Sequence, residues 1–124
     1  MSKNYQMEIK NKWGNTESYK EFSTKTKDYS KEKWDTISKN LMNIFNSFSI
    51  YLLNKKDPSS QEVQENVETL KTFISNNYYT CTNEILFSLG KMYVEDERFK
   101  NNIDKEIKGS AEYIRKAIEI YCIK

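Results

Sequence analysis

Few side chains in this sequence are equipped for covalent chemistry, and their spacing narrows the choice. The two cysteines, Cys81 and Cys122, form no C-x-x-C step and no disulfide framework, a usage that suits a reducing cytoplasm. Histidine is absent, which removes Ser-His and Cys-His nucleophile pairs and the commonest zinc sites. No metal and no cofactor is expected. Asp96-Glu97-Arg98-Phe99 places two carboxylates beside a guanidinium, the group types of an acid–base site. The same four residues also make a helix start. Asp96 serves as N-cap, Glu97 sits where the helix dipole favours negative charge, Arg98 ties the turn to a neighbouring helix end, and Phe99 is buried beneath. The helix start is the expectation, and no enzyme activity with it.

Aromatic residues make up 14% of the chain and nine of them are tyrosines, which bears on binding rather than catalysis. Tyrosine offers a flat apolar surface with one polar tip, suited to a cleft that holds a large heterocycle and equally suited to a core edge. Tyr78-Tyr79, Ser88 and Met92-Tyr93 fall close together along the chain. Met and Tyr there form either an adaptable apolar wall or ordinary packing, and the residues alone leave both open.

Positioning these groups falls to helices. From Lys31 the apolar residues Trp34, Ile37, Leu41, Ile44, Phe45, Phe48, Tyr51 and Leu52 follow the 3-4 spacing of one helix face, with Ser30 as N-cap and Glu32 in the first turn. Lys55-Lys56-Asp57-Pro58 breaks the run. Ser59-x-x-Glu62 reads as a capping box for a second helix carrying Val63, Val67, Leu70 and Ile74. A third helix is predicted from Thr80 or Thr82, with Ile85, Ser88, Leu89, Met92 and Tyr93. A short fourth follows Asp96, and Gly109-Ser110 opens a last one with Ala111, Ile114, Ala117, Ile118 and Tyr121 inward. No stretch alternates like a strand. The chain is predicted to be all-α, one domain of about five main helices, with no membrane span and no secretion signal.

The first 33 residues differ from the rest. Tyr5, Trp13, Tyr19, Phe22 and Tyr29 are scattered among Lys, Asn, Thr and Ser, with Ile9 as the only Ile, Leu or Val. A short helix over Thr16 to Thr26 has Tyr19 and Phe22 as a thin apolar stripe. Such a segment orders by docking on something apolar, either the core or a ligand. Residues 1–29 are therefore read as an arm or lid, and 30–124 as the helical ligand-binding body. A surface helix packed permanently on the bundle is the other reading. Charge alternates in sign nearly everywhere, and residues 58–97 hold seven acids against two lysines. No clustered cationic face is present to displace counterions from nucleic acid, so no direct nucleic-acid contact is expected.

Three blocks carry more than periodicity: Trp13-Gly14-Asn15-Thr16, Tyr79-Thr80-Cys81, and the run S-L-G-K-M-Y-V-E-D-E-R-F-K-N-N-I-D from Ser88 to Asp104. Together they resemble the TipAS domain, the antibiotic-recognition domain at the C-terminal end of TipA-type regulators of the MerR class. The resemblance runs from about Glu8 to Tyr121. It implies a globin-like helical fold and a ligand-binding effector role in transcription regulation or antibiotic sequestration. The ligand implied is a hydrophobic macrocyclic or multi-ring antibiotic of thiopeptide type. Candidate binding residues on this basis are Trp13, Tyr19, Phe22, Tyr79, Cys81, Ser88, Leu89, Met92 and Tyr93.

The resemblance also implies a point of departure. Thiopeptide binders of the family carry a cysteine one residue before the L-G-x-M-Y-V block, where it adds to dehydroalanines. Here that residue is Ser88, whose hydroxyl is no Michaelis donor at neutral pH and has no histidine to activate it. Binding is accordingly expected to be non-covalent. Cys81 matches the family's other cysteine, and on a continuous helix it would share a face with Ser88 about 10 Å along the axis. The winged-helix DNA-binding domain and coiled-coil helix of TipA-type regulators have no counterpart in these 124 residues. DNA contact is expected only from a full-length form that carries them. The remaining alternative is a helical module that binds a peptide or partner helix through an exposed apolar patch.

Overall fold

The computed structural model describes residues 17–123, and Trp13 with its W-G-N-T block lies outside them. Among the described residues the fold is all-helical, with six helices. These are α1 (Glu17–Thr26), α2 (Lys31–Leu53), α3 (Gln61–Asn77), α4 (Asn83–Glu95), α5 (Glu97–Ile103) and α6 (Ser110–Ile123). No helix among the described residues is long and apolar enough to cross a membrane.

Most helix starts follow local chemistry read from the sequence. The Ser30 hydroxyl accepts from Lys33 N at 3.0 Å, Thr82 from Ile85 N at 3.2 Å, and the Asp96 carboxylate from Arg98 N at 2.9 Å. The expected capping box of α3 is not formed. Ser59 instead gives its N–H and hydroxyl to Asp57 in a turn around Pro58, Glu62 pairs outward with Lys56, and Ser60 becomes the N-cap residue without a side-chain bond. The proline turn claims Ser59 before the helix can use it. The Arg98 guanidinium folds back on the Asp96 carboxylate in the same turn, at 3.0 Å through Nη2.

The core lies where the 3-4 stripes converge. Ile37, Leu41, Phe45 and Phe48 of α2 meet Val63, Val67, Leu70 and Ile74 of α3, with Ala111, Ile114, Ala117 and Ile118 of α6. Among the described helices the α4–α6 pair makes the most extensive contact. Gly90 permits that approach: a Cβ there would meet Ile118 at 3.3 Å. Tyr113 donates its hydroxyl to Lys56 O at 2.8 Å, and buried Ser49 and Ser110 share a hydroxyl–hydroxyl bond of 2.7 Å between α2 and α6. Asp104 closes the connection before α6 by accepting from Ala111 N at 2.8 Å through one oxygen and pairing with Lys100 through the other.

Candidate functional site

Three segments carry the predicted site residues. Tyr19 and Phe22 stand on α1, Tyr79 and Cys81 in the link between α3 and α4, and Ser88, Leu89, Met92 and Tyr93 on α4. Phe22 is 4% exposed and forms the hub of an aromatic cluster. Its ring centroid lies 6.4 Å from Tyr19, 6.2 Å from Trp34, 6.3 Å from Tyr78 and 6.4 Å from Tyr79. Tyr29 extends the set edge-on against Trp34 at 5.2 Å and donates its hydroxyl to Asn77 O at 2.9 Å. A polar tie runs alongside, with the Thr80 hydroxyl on the Glu21 carboxylate at 2.7 Å. That bond holds the Glu21 carboxyl below its usual range.

Tyr93 belongs to a different aromatic set, with Phe45 at 5.3 Å and Phe99 at 6.0 Å. Leu89 and Met92 are buried with it, whereas Ser88 is half-buried on the same helix. The structure thus brings Tyr19, Phe22 and Tyr79 together and puts Tyr93 in a second cluster. Trp34, Tyr78 and Tyr29 complete the first cluster and were not among the candidates. Their signal was the aromatic crowding of Tyr29–Trp34 and Tyr78-Tyr79, with one member on each segment that meets there.

Cys81 precedes Thr82, the N-cap of α4, and the helix itself begins at Asn83, so Cys81 shares no helix face with Ser88. Its N–H donates to the Ser75 hydroxyl at 3.0 Å, and its sulfur lies 3.7 Å from Thr82 O. Burial pushes the thiol up to about 12, against an opposing pull from Lys71 and a smaller push from Cys122. A thiol so far above neutrality carries almost no thiolate and makes a poor nucleophile. Both cysteines are free.

Among the grooves formed by the described residues, two lie at the α3–α6 and α4–α6 joints of the bundle. One of about 640 Å³ runs between α3 and the end of α6, lined by Ser59, Gln61, Gln64, Glu65, Glu68, Asn83 and Tyr121. A smaller one of about 350 Å³ is bounded by Asn83, Glu84, Phe87, Cys122 and Ile123. None of the described site candidates lines either of these two grooves. Gln64 is the unusual member: it is 7% exposed, and its amide nitrogen donates to Pro58 O at 2.8 Å and to Ala117 O at 3.0 Å. Its carbonyl oxygen Oε1 is buried and accepts nothing. A buried acceptor left unmade costs about 1–3 kcal/mol. The sequence signal for it was a glutamine on the apolar stripe, three residues before Val67. No group of three or more potential metal ligands exists among the described residues.

The chain's relatives agree with this architecture. Residues 5–121 match the family model described as the TipAS antibiotic-recognition domain. The HTH-type transcriptional activator TipA of Streptomyces coelicolor is 36% identical over 115 residues, 92% of this chain and 45% of that protein, and the TipA of Streptomyces lividans matches to the same extent. The HTH-type transcriptional activator mta of Bacillus subtilis is 32% identical over 118 residues, 95% of this chain and 45% of its own length. This chain therefore spans less than half the length of these relatives. Among solved structures, TipAS of the Streptomyces lividans thiopeptide resistance system, in complex with nosiheptide, superposes with a TM-score of 0.85 at 32% identity. That match covers 99% of this chain and 86% of the other. With the family model spanning nearly all of its helices, this chain is a member of the TipAS antibiotic-recognition domain family.

Proposed function

We propose that this chain is the effector domain of a TipA-like transcriptional regulator and binds bulky multi-ring antibiotics of thiopeptide type without forming a covalent bond. The observation that carries the reading is the likeness, over 99% of the chain, to a TipAS structure holding nosiheptide. The non-covalent mode follows from chemistry on this chain. Ser88 presents a hydroxyl where the family resemblance implies a thiol, and the Cys81 thiol is buried and held protonated. Binding energy then comes from apolar burial, roughly 25 cal/mol per Å² before ordering costs are subtracted.

In this reading residues 1–29 act as the lid, with Tyr19 and Phe22 covering the ligand together with Trp13. Docking through aromatic rings supports the role, since rings that face Trp34, Tyr78 and Tyr79 can equally face a flat heterocycle. The ligand-free domain contacts no DNA itself and works in the cytoplasm with its regulator.

Nosiheptide titration tests the proposal. Ligand at 100 times its Kd should stabilise the domain by about 2.7 kcal/mol in thermal unfolding. The intact mass should stay that of the free protein, and Ser88→Cys should gain an adduct. Unchanged melting at saturating nosiheptide would refute thiopeptide binding. A wild-type adduct lost in Cys81→Ala would refute the non-covalent mode and move the reactive centre to Cys81.

A further inference from the structure

We infer that Cys81 and Cys122 are a reversible redox pair, closed into one disulfide by a small-molecule disulfide of the glutathione class. The bond staples the α3–α4 link to the end of α6, whichever ligand the domain binds. The two sulfurs converge on one helix end. Cys81 Sγ lies 3.7 Å from Thr82 O, and Cys122 Sγ lies 3.3 Å from Asn83 O. Those are consecutive carbonyls at the start of α4, so two residues far apart in the chain hang their thiols on neighbouring acceptors. Neither sulfur is spent on another covalent bond. Cys122 occupies the last turn of α6, where the final backbone carbonyls lack intrahelical donors and opening costs little. That turn supplies the movement that brings one Cβ to bonding range of the other, about 3.5–4.5 Å.

Burial gives the two thiols different tasks. Cys81 is 3% exposed and closed to an outside reagent, whereas Cys122 is half-buried on the wall of the smaller groove, beside Asn83, Glu84, Phe87 and Ile123. Cys122 is therefore the entry thiol. As thiolate it attacks one sulfur of the small disulfide RS–SR, forms Cys122–S–SR and expels RS⁻, which takes up a proton. Cys81 then gives up its own proton and attacks the Cys122 sulfur. The Cys122–SR bond breaks, and the second RS⁻ leaves and is protonated. In all, two protein thiols lose two electrons and two protons, and RS–SR becomes two RSH. Burial raises both thiols, and the Lys71 ammonium, seated 5.7 Å from the Tyr121 ring centroid, pulls both back. Cys81 is a slow nucleophile toward a reagent in solution, but its partner is held within the same fold, and proximity offsets the scarcity of thiolate. Excess small thiol reverses both steps, as it does for cytosolic disulfides that sense redox state. The link that holds Cys81 also carries Tyr79 and Thr80, so the staple acts on the segment to which α1 docks.

The test incubates the pre-reduced protein with oxidised glutathione at pH about 8.5, near the ordinary thiol range, and reads intact mass and peptide maps. A monomer lighter by about two hydrogens, with a linked Cys81–Cys122 peptide, is expected. Cys122→Ser should not react, because Cys81 is out of reach of the reagent. Cys81→Ser should stop at the mixed glutathione disulfide on Cys122. The closing equilibrium against glutathione should favour the bond at least about tenfold more in the folded protein than in urea, where chance collision governs it. The wild-type map and this equilibrium carry the test even where Cys81→Ser, at a buried position, fails to fold. Glutathionylation of Cys122 that never resolves, linkage only between two molecules, reaction of Cys122→Ser at Cys81, or an equilibrium no better folded than in urea would each overturn the pair.

Discussion

Two contacts in this molecule are made by different means. The α4–α6 pair packs aliphatic and small side chains, Leu86, Leu89, Gly90, Ala117 and Ile118, closely enough that Gly90 has no room for a Cβ without movement of Ile118. Contact between α1 and the body instead rests on one buried ring, Phe22, set among aromatic neighbours at centroid separations above 6 Å, with a Thr80–Glu21 bond at its edge. Interdigitated aliphatics fit one partner, because every methyl is matched to a particular hollow. Aromatic rings in ordinary contact can exchange one flat surface for another. The proposed lid role of α1 predicts that the first contact is permanent and the second is exchanged when ligand binds.

Substitutions can separate the two. Ile114→Ala, in the fully buried stripe of α6, should cost about 2–5 kcal/mol and lower the single cooperative unfolding transition as a whole. Phe22→Ala should cost up to about 3 kcal/mol, but locally. Hydrogen exchange of Glu17–Thr26 should quicken while the α2 amides stay protected. If the amides from Glu17 to Phe22 of the wild type are already as slow as those of Trp34–Leu52, α1 is part of the frame and the contrast fails. Gly90→Val should cost about 1–3 kcal/mol through overpacking against Ile118, read in urea unfolding.

Two finer tests use pH. The Cys81 thiol, raised from an ordinary 9.0 to about 12, is accommodated only when protonated. Its contribution is intact below pH about 9 and is lost as pH climbs toward 12, by up to about 1.4 kcal/mol per unit. Cys81→Ala should flatten that alkaline slope of the melting temperature. The smallest effect belongs to Thr80→Val, which removes the tie to Glu21. A loss of a few tenths to about 1 kcal/mol is expected above pH about 4.5, where the carboxylate is charged, and it should fade as acid protonates Glu21. Equal melting curves at neutral pH would assign α1 docking to Phe22 alone.

Where backbone and apolar spacing decide the outcome, the sequence was readable. The stripes of α2, α3 and α6 land in the core, and Ser30, Thr82 and Asp96 cap as their positions suggest. The failures have local causes. Ser59 answered to Asp57 and Pro58 rather than to α3, and of the two starts offered for α4, Thr80 or Thr82, the structure takes Thr82, which leaves Cys81 outside the helix. The candidate residues share chain neighbourhoods but divide in space, because Tyr93 turns toward Phe45 and Phe99. Gln64 could be seen as a polar break in an apolar stripe. That its nitrogen would be claimed by Ala117, fifty-three positions along, depends on how α6 returns across α3.

The Asp104 clasp carries a consequence for chain length. By reaching over the intervening residues to Ala111 N, the side chain closes 104–111 into a ring whose circumference is fixed, while its other oxygen anchors the ring to Lys100. Gly109, at φ 93°, supplies the one left-handed step that lets the ring close onto Ser110. An added or deleted residue between 105 and 108 would throw Ser110 out of reach of Ser49, so variation in loop length belongs at other joints of this molecule.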